Sequence, residues 1–336
     1  MQPVELKKVL IIQTAFIGDV VLATPVIEAL RDAFPAAQID FLLRKGNESL
    51  LEGHPHLRKL LIWNKKENKL KNLRKIIQQV RREHYDAVFN LQRFFSSGLI
   101  TVRSGAKYTA GFDKNPLSFL FSKSVPHTIS ATGKRHETER NLDLIRDFVP
   151  DARVKVRLYP AKEAIQKVAP YKSDAYIVIA PASVWFTKQY PAVKWIELLK
   201  ELDGKYRIYL IGAPADAALA DEIIRQSERP NCINLCGQLS MPESVALMQD
   251  AAMNFVNDSA PLHFASATNA KVCAVFCSTV PQFGFGPVSD HGHIVELKEK
   301  LECRPCGLHG KISCPEGHFD CAMKIETKDL TATLEQ

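Results

Sequence analysis

Residues 8–43 read KVLIIQTAFIGDVVLATPVIEALRDAFPAAQIDFLL. The opening KVLIIQ (8–13) is a short apolar run of the kind that forms a strand buried on both faces. A loop, TAFIGD, follows. Val20, Val21, Ala23, Val26, Ile27, Leu30 and Phe34 then recur on the apolar side of a helix that Pro35 ends. QIDFLL (38–43) alternates as a second strand. Strand, helix and strand in so short a stretch make a βαβ unit, and a βαβ unit needs a parallel sheet.

The same logic extends outward. LRKLLIW (57–63) and YDAVFNL (85–91) read as strands around a basic helix over about 67–83. A short helix and a strand fit 93–112, and 113–135, with Pro116, Pro126 and Gly133, reads as an irregular loop. A helix over 137–148 closes this half, and 154–160 is extended. The pattern then restarts. Strands are expected at 176–182, 207–214, 232–237, 252–258 and 271–276, and helices at 195–202, 216–226, 242–252 and 261–268. The fold class is α/β: two Rossmann-like domains, 1–160 and 161–336, facing a central cleft, as in the GT-B architecture. Ligands of such sheets bind beyond the carboxyl ends of the strands.

The 336 residues are 46% hydrophobic and 24% charged, so the chain is neither disordered nor fibrous. The formal charge of +7 suits phosphate-bearing ligands or an anionic surface, and is also ordinary for a soluble protein. Its densest basic stretch, Lys65 to Arg82, carries Leu70, Leu73, Ile76, Ile77 and Val80 at helical spacing. That is a solvated amphipathic helix rather than a nucleic-acid reader, so no nucleic-acid partner is expected. MQPVELKKVLIIQTAF lacks the long apolar core of a signal peptide, and no apolar run of about 20 residues is present. A cytoplasmic protein is expected.

The candidate chemistry lies in the loops. Asp19 follows the first strand after the lone Gly18. It is either a first-turn residue stabilised by the helix dipole or a general base. The loop lacks GxGxxG, which disfavours a dinucleotide. Lys188, with Ser183, offers a cation and a hydroxyl to a diphosphate, or is a solvated loop lysine. In NDSAPLH (257–263), Asp258 ends a strand, Ser259, Ala260 and Pro261 begin a helix, and His263 lies in its first turn. Free N–H groups there suit a pyrophosphate. No DxD-type motif accompanies them, so no catalytic cofactor is expected.

Four ordered segments give the family. AFIGDVVLATPVIEALRDAFP (15–35), ASVWFTKQYPAVKW (182–195), GQLSMPESVALMQDAAMNFVNDSAPLHFASA (237–267) and the cysteine-rich tail resemble the ADP-heptose:lipopolysaccharide heptosyltransferases of glycosyltransferase family 9, the tail resembling the heptosyltransferase II branch. The resemblance covers nearly the whole chain. It implies an acceptor-binding first domain, a donor-binding second domain, and Asp19 as catalytic base. Lys188 and Ser183 would meet the donor phosphates, Lys188 also stabilising departing ADP. Asp216 would meet the ribose, Leu239 the adenine and Asp258 the donor sugar, with Ser259, Ala260 and His263 at the phosphates. Ala260 stands where the family has glycine. The implied partners are ADP-heptose and a lipid A–Kdo or heptosylated core acceptor, reached by transient contact with the anionic inner face of the inner membrane. A transferase with another nucleotide-sugar donor and a non-catalytic nucleotide-sugar or core-binding protein are the alternatives.

Cys303, Cys306, Cys314 and Cys321 fall within the tail segment 303–321, with His309 and His318 nearby. One CxxC suits a structural zinc, and the absence of a second equally suits free thiols. Cys232, Cys236, Cys273 and Cys277 read as buried thiols.

Overall fold

The computed structural model describes residues 5–335. Residues 1–4, at the start of the segment read for a signal sequence, and residue 336 lie outside the described residues. The chain divides into two compact units: Met1–Ile129 with Glu137–Tyr159, and Ser130–His136 with Pro160–Gln336.

In the first unit β1 (Lys8–Ile12), β2 (Gln38–Arg44), β3 (Lys59–Trp63), β4 (Ala87–Asn90), β5 (Tyr108–Phe112) and β6 (Lys123–Val125) form one sheet ordered β3-β2-β1-β4-β5-β6. All neighbours are parallel. Helices α1 (Ile17–Leu22), α2 (Thr24–Ala33), α3 (Lys69–Arg82), α4 (Phe95–Val102) and α5 (Glu137–Asp143) belong to this unit. Leu10, Ile12, Leu42, Leu61 and Val88 of the sheet pack with Ile76 and Val80 of α3 and Ile100 of α4.

Several expectations change in detail. The single helix expected after β1 is two, α1 and α2. Pro25 has no N–H to give the Val21 carbonyl, and Thr24 Oγ1 donates to that carbonyl instead at 2.8 Å. The loop over 113–135 contains β6, whose three residues, two of them exposed, carry no readable alternation. The helix from Glu137 ends at Asp143 and continues to residue 148 as turns. Leu70, read as part of the apolar stripe of α3, is 74% exposed; the packed stripe begins at Leu73.

In the second unit β7 (Tyr176–Ala180), β8 (Arg207–Leu210), β9 (Cys232–Asn234), β10 (Met253–Asn257), β11 (Val272–Phe276) and β12 (Gly292–Glu296) form a second parallel sheet, ordered β12-β11-β10-β7-β8-β9. Helices α6 (Lys162–Val168), α7 (Ala192–Glu201), α8 (Ala217–Ser227), α9 (Met241–Gln249) and α10 (Ala260–Ala267) accompany it, and the tail adds α11 (Asp320–Met323) and α12 (Thr327–Thr331). Ala322, Ile325 and Leu330 of the tail enter the core formed by Ile177, Ile208, Leu210, Trp195 and Leu199. Tyr190 Oη fixes them by donating to the Ile325 carbonyl at 3.0 Å. The strand β12 escapes the sequence reading, because at the sheet edge only one of its five residues is buried and they are mixed in polarity.

Both sheets have the Rossmann order. The first strand of each, β1 or β7, has the next strand on one side and the fourth, β4 or β10, on the other. The connections leave in opposite directions at that point, and in such sheets ligands bind there.

Candidate active site

In the second unit the reversal lies between β7 and β10. The β7 loop ends in a 3-10 turn, Phe186–Lys188, and β10 ends immediately before Asp258. The two meet: Lys188 Nζ lies 2.7 Å from Asp258 Oδ2. Asp258 is buried, and Thr279 Oγ1 donates to the same carboxylate oxygen at 2.6 Å. A buried carboxylate needs such partners, since an uncompensated charge there is costly.

Ser259 is the N-cap of α10, in extended conformation, with Ala260 and Pro261 opening the helix. Ser259 Oγ makes no cap hydrogen bond, which leaves the first N–H groups of the helix without a side-chain partner from this residue. His263 is buried in the same helix, and its Nδ1 has no hydrogen-bond partner. Burial drives its pKa down to about 3, with the His136 and Lys188 charges acting in the same direction and Asp258 opposing them. His263 is therefore a neutral imidazole at physiological pH. Ser183 lies half-buried in the β7 loop, its carbonyl accepting from Gln189 Nε2 at 2.6 Å.

Asp216 and Leu239 follow β8 and β9, on the other side of β7. Asp216 Oδ2 accepts the Ala213 N–H at 2.8 Å, as a first-turn carboxylate does. Gly237 N–H donates to the Gly212 carbonyl at 2.9 Å, which ties the two loops together. Leu239 is half-exposed rather than core. The predicted donor residues thus follow four adjacent strands, β10, β7, β8 and β9.

In the first unit Asp19 stands in the first turn of α1, beyond the end of β1 and beside the β1–β4 reversal. Its Oδ2 accepts the Phe16 N–H at 3.1 Å. Part of its surface stays open, yet protein atoms surround it densely. That burial, and then the charge of Glu137, raise its pKa to about 6 against the opposing Phe16 hydrogen bond and Arg44 charge. Glu137 is itself buried at the start of α5. Burial would raise its pKa, but His127 Nε2, at 3.1 and 3.2 Å from its two oxygens, and Arg140 Nε, donating at 2.7 Å, hold it below the usual range. Asn141 Nδ2 donates to the Leu22 carbonyl at 3.0 Å and locks α5 onto α1.

Two cations flank the Asp19 loop. Lys65 Nζ donates to the Thr14 carbonyl and Oγ1 at 2.9 and 2.8 Å and lies 4.6 Å from the centre of the Trp63 ring. Burial and the Arg44 charge lower its pKa to about 8. The Arg44 guanidinium stacks 5.1 Å over Phe16. Nothing in the sequence singles out Glu137, Lys65 or Arg44 beside Asp19, or His136 and Thr279 in the second unit.

The tail cysteines lie along the 303–321 segment as free thiols. Cys303 Sγ lies 3.9 Å from His318 Nε2, Cys306 Sγ donates to the Cys303 carbonyl at 3.3 Å, and Cys321 is buried. Among the described residues no group of three or more His, Cys, Asp or Glu side chains is disposed to hold a metal ion. Of the other four thiols, Cys236, Cys273 and Cys277 are buried and Cys232 is half-buried.

Comparison with known proteins defines the class. Residues 73–313 match the profile of glycosyltransferase family 9 (heptosyltransferase). The chain belongs to that family and is a glycosyltransferase. It is 29% identical over 279 residues to lipopolysaccharide heptosyltransferase 3 of Escherichia coli K12, covering 78% of this chain and 80% of the relative. Its fold is that of the family 9 glycosyltransferase from Veillonella parvula, with a TM-score of 0.83 at 18% identity over 99% and 97% of the two chains. The E. coli ADP-heptose lipopolysaccharide heptosyltransferase II superposes with a TM-score of 0.78 at 20% identity, covering 98% and 99%. These neighbours confirm the α/β GT-B class read from the sequence. No helix among the described residues is long and apolar enough to cross a membrane.

Proposed function

We propose that this glycosyltransferase moves a heptosyl group from ADP-L-glycero-β-D-manno-heptose to a sugar hydroxyl of the lipopolysaccharide inner core, with inversion at the anomeric carbon. The observation that carries the donor assignment is the meeting of Lys188 and Asp258 at the strand reversal, beside the start of α10. A diphosphate at this place finds an ammonium and helix N–H groups. The names of its relatives, lipopolysaccharide heptosyltransferase 3 and ADP-heptose lipopolysaccharide heptosyltransferase II, point to the same donor and acceptor.

In this reading the acceptor oxygen forms a bond to C1 as the bond from C1 to the ADP phosphate oxygen breaks. Asp19 takes the acceptor proton. A carboxylate with a pKa near 6 is a stronger base than an ordinary aspartate and is still ionised at neutral pH. Lys188 and the first N–H groups of α10 take up the charge that develops on departing ADP. Asp258 meets the donor sugar, neutral His263 and Ser183 meet the phosphates, and Asp216 and Leu239 meet the ribose and adenine. Lys65 and Arg44, near Asp19, suit an anionic core acceptor.

The acceptor is a lipid, so we place the enzyme at the inner face of the inner membrane. Lys69, Lys71, Arg74, Lys75, Arg81 and Arg82 on α3 are all exposed, with Leu70 projecting among them. That combination supports transient attraction to anionic headgroups.

The deciding experiment is mass spectrometry of core acceptors of different length incubated with ADP-heptose and the enzyme. A mass increase of one heptosyl group on one acceptor supports the proposal. Turnover only with another nucleotide sugar, or with none, refutes it.

A further inference from the structure

The cysteine-rich tail reaches the donor residues directly. Thr187, the neighbour of Lys188, is buried at the centre of a hydrogen-bonded hub. Its N–H donates to the Lys311 carbonyl at 3.1 Å, and its Oγ1 accepts the Lys311 N–H at 2.8 Å. Ser278 Oγ donates to the same Oγ1 at 2.9 Å, and Ser278 N–H donates to the Thr187 carbonyl at 3.2 Å. Ser278 is held in turn by Cys306, whose N–H donates to its carbonyl at 2.9 Å. Arg304 Nη2 donates to the Thr279 carbonyl at 2.8 Å, and Thr279 is the residue that bonds Asp258. The segment from Arg304 to Lys311 therefore grips both sides of the Lys188–Asp258 pair.

Gly310 is where this grip is tightest. Its φ of +76° is one that a side chain disfavours, and a Cβ placed on it would lie 2.9 Å from Lys188 Cγ, 3.1 Å from Thr187 Oγ1 and 3.2 Å from Trp185 Cβ. Cγ is low on the lysine stem, so displacing it swings Nζ away from its place. Gly307 has a φ of +103° and nothing within 4 Å of such a Cβ. The two glycines share a backbone requirement, and only one of them touches the lysine.

We infer that Gly310 and Thr187 are positioning residues for Lys188, and that the tail backbone at Gly310 and Lys311 is the wall that aims the lysine at the donor diphosphate. The inference rests on the reading of Lys188 as a phosphate ligand. It assigns the tail a part in donor affinity that is independent of any metal.

The test is calorimetric titration of the full-length protein with ADP. Gly310→Ala is expected to weaken ADP binding roughly tenfold or more, while Gly307→Ala changes it less than about twofold. Both variants should melt somewhat below wild type, because both place a side chain at positive φ. On a Lys188→Ala background, Gly310→Ala should cause no additional loss, since residues acting through one contact are not additive. If Gly310→Ala does not fold, Thr187→Val takes its place, with the same weakening expected. Wild-type affinity in Gly310→Ala or Thr187→Val, alongside weakened binding in Lys188→Ala, overturns the positioning role and leaves the phosphate role standing. Wild-type affinity in Lys188→Ala overturns the phosphate role itself.

Discussion

Lys188 Nζ and Asp258 Oδ2 stand 2.7 Å apart, on the loops after β7 and β10, where the order of the second sheet reverses. The pair brings together two residues from distant parts of the chain and places a cation where a phosphate is expected. Replacing Lys188 with alanine should weaken ADP binding by about 1.5–3 kcal/mol, the worth of a hydrogen bond to a charged group. Transfer should slow as well. Calorimetry with ADP and initial rates with the core acceptor measure the two effects separately.

Asp19→Asn should lower the transfer rate about 10²–10⁴-fold, as loss of a general base does. ADP binding should survive, because the residues proposed to bind the donor belong to the second unit. Near-normal turnover would make Asp19 a helix-capping residue only.

The same substitution should raise the melting temperature at pH 7. The folded pKa of Asp19, about 6, lies above its ordinary value of 3.8. The folded protein therefore binds the proton more tightly than the unfolded chain does. Stability attributable to Asp19 grows as pH falls from 6 towards 4, and its ionised form is a cost above that window. An amide carries no such cost. Melting curves of wild type and Asp19→Asn at pH 5 and pH 7.5 should differ more at the higher pH.

Glu137 should control the acid limb of activity. In wild type kcat/KM should fall as pH drops through about 6, when Asp19 takes up its proton. Glu137→Gln removes a negative neighbour that raises the pKa of Asp19, so this limb should move to lower pH. Glu137→Asp should keep it near the wild-type position. A pH–rate profile that is unchanged in the Gln variant, with only a lower melting temperature, would make Glu137 a structural anchor for His127 and Arg140.

The spacing of the tail cysteines leaves a shared zinc ion and free thiols both open, and among the described residues no group of three or more His, Cys, Asp or Glu side chains is disposed to hold a metal ion. Metal analysis of protein purified without a histidine tag decides between these. Near-stoichiometric zinc would show that the tail closes on an ion; less than about 0.1 per chain, with no change of melting on chelation, would show free thiols. If the ion is present, Cys306→Ser should lower the melting temperature; in either case it should change ADP binding little, since its backbone N–H, and not its thiol, holds Ser278.

What can be read from the sequence follows from locality. Asp19, Lys188 and Asp258 stand in the connections that follow central strands, and those strands announce themselves as apolar runs because they are buried on both faces. A reader who finds the strand finds the loop. Glu137 acts on Asp19, Thr279 on Asp258 and His136 on His263 through contacts between segments apart in the chain, and no period or motif marks them. Gly310 reads as one glycine among several in an irregular tail. Its importance is a matter of which atom its missing Cβ would meet. The edge strands β6 and β12 are hidden for a simpler reason: half-solvated strands of three and five residues have too little apolar signal to show.

The division of the chain has a practical consequence for dissecting it. Residues 130–136 lie between β6 and α5 in sequence, yet they belong to the second unit, so the backbone passes between the units three times. A protein begun at Pro160 would carry the whole second sheet and still lack His136, whose Nε2 lies 3.1 Å from the Gly286 carbonyl. A fragment ended at Tyr159 would carry that segment with nothing of its own unit to rest on. Neither piece is a module in the genetic sense, and exchange of the second unit between relatives would have to graft two stretches of sequence rather than one.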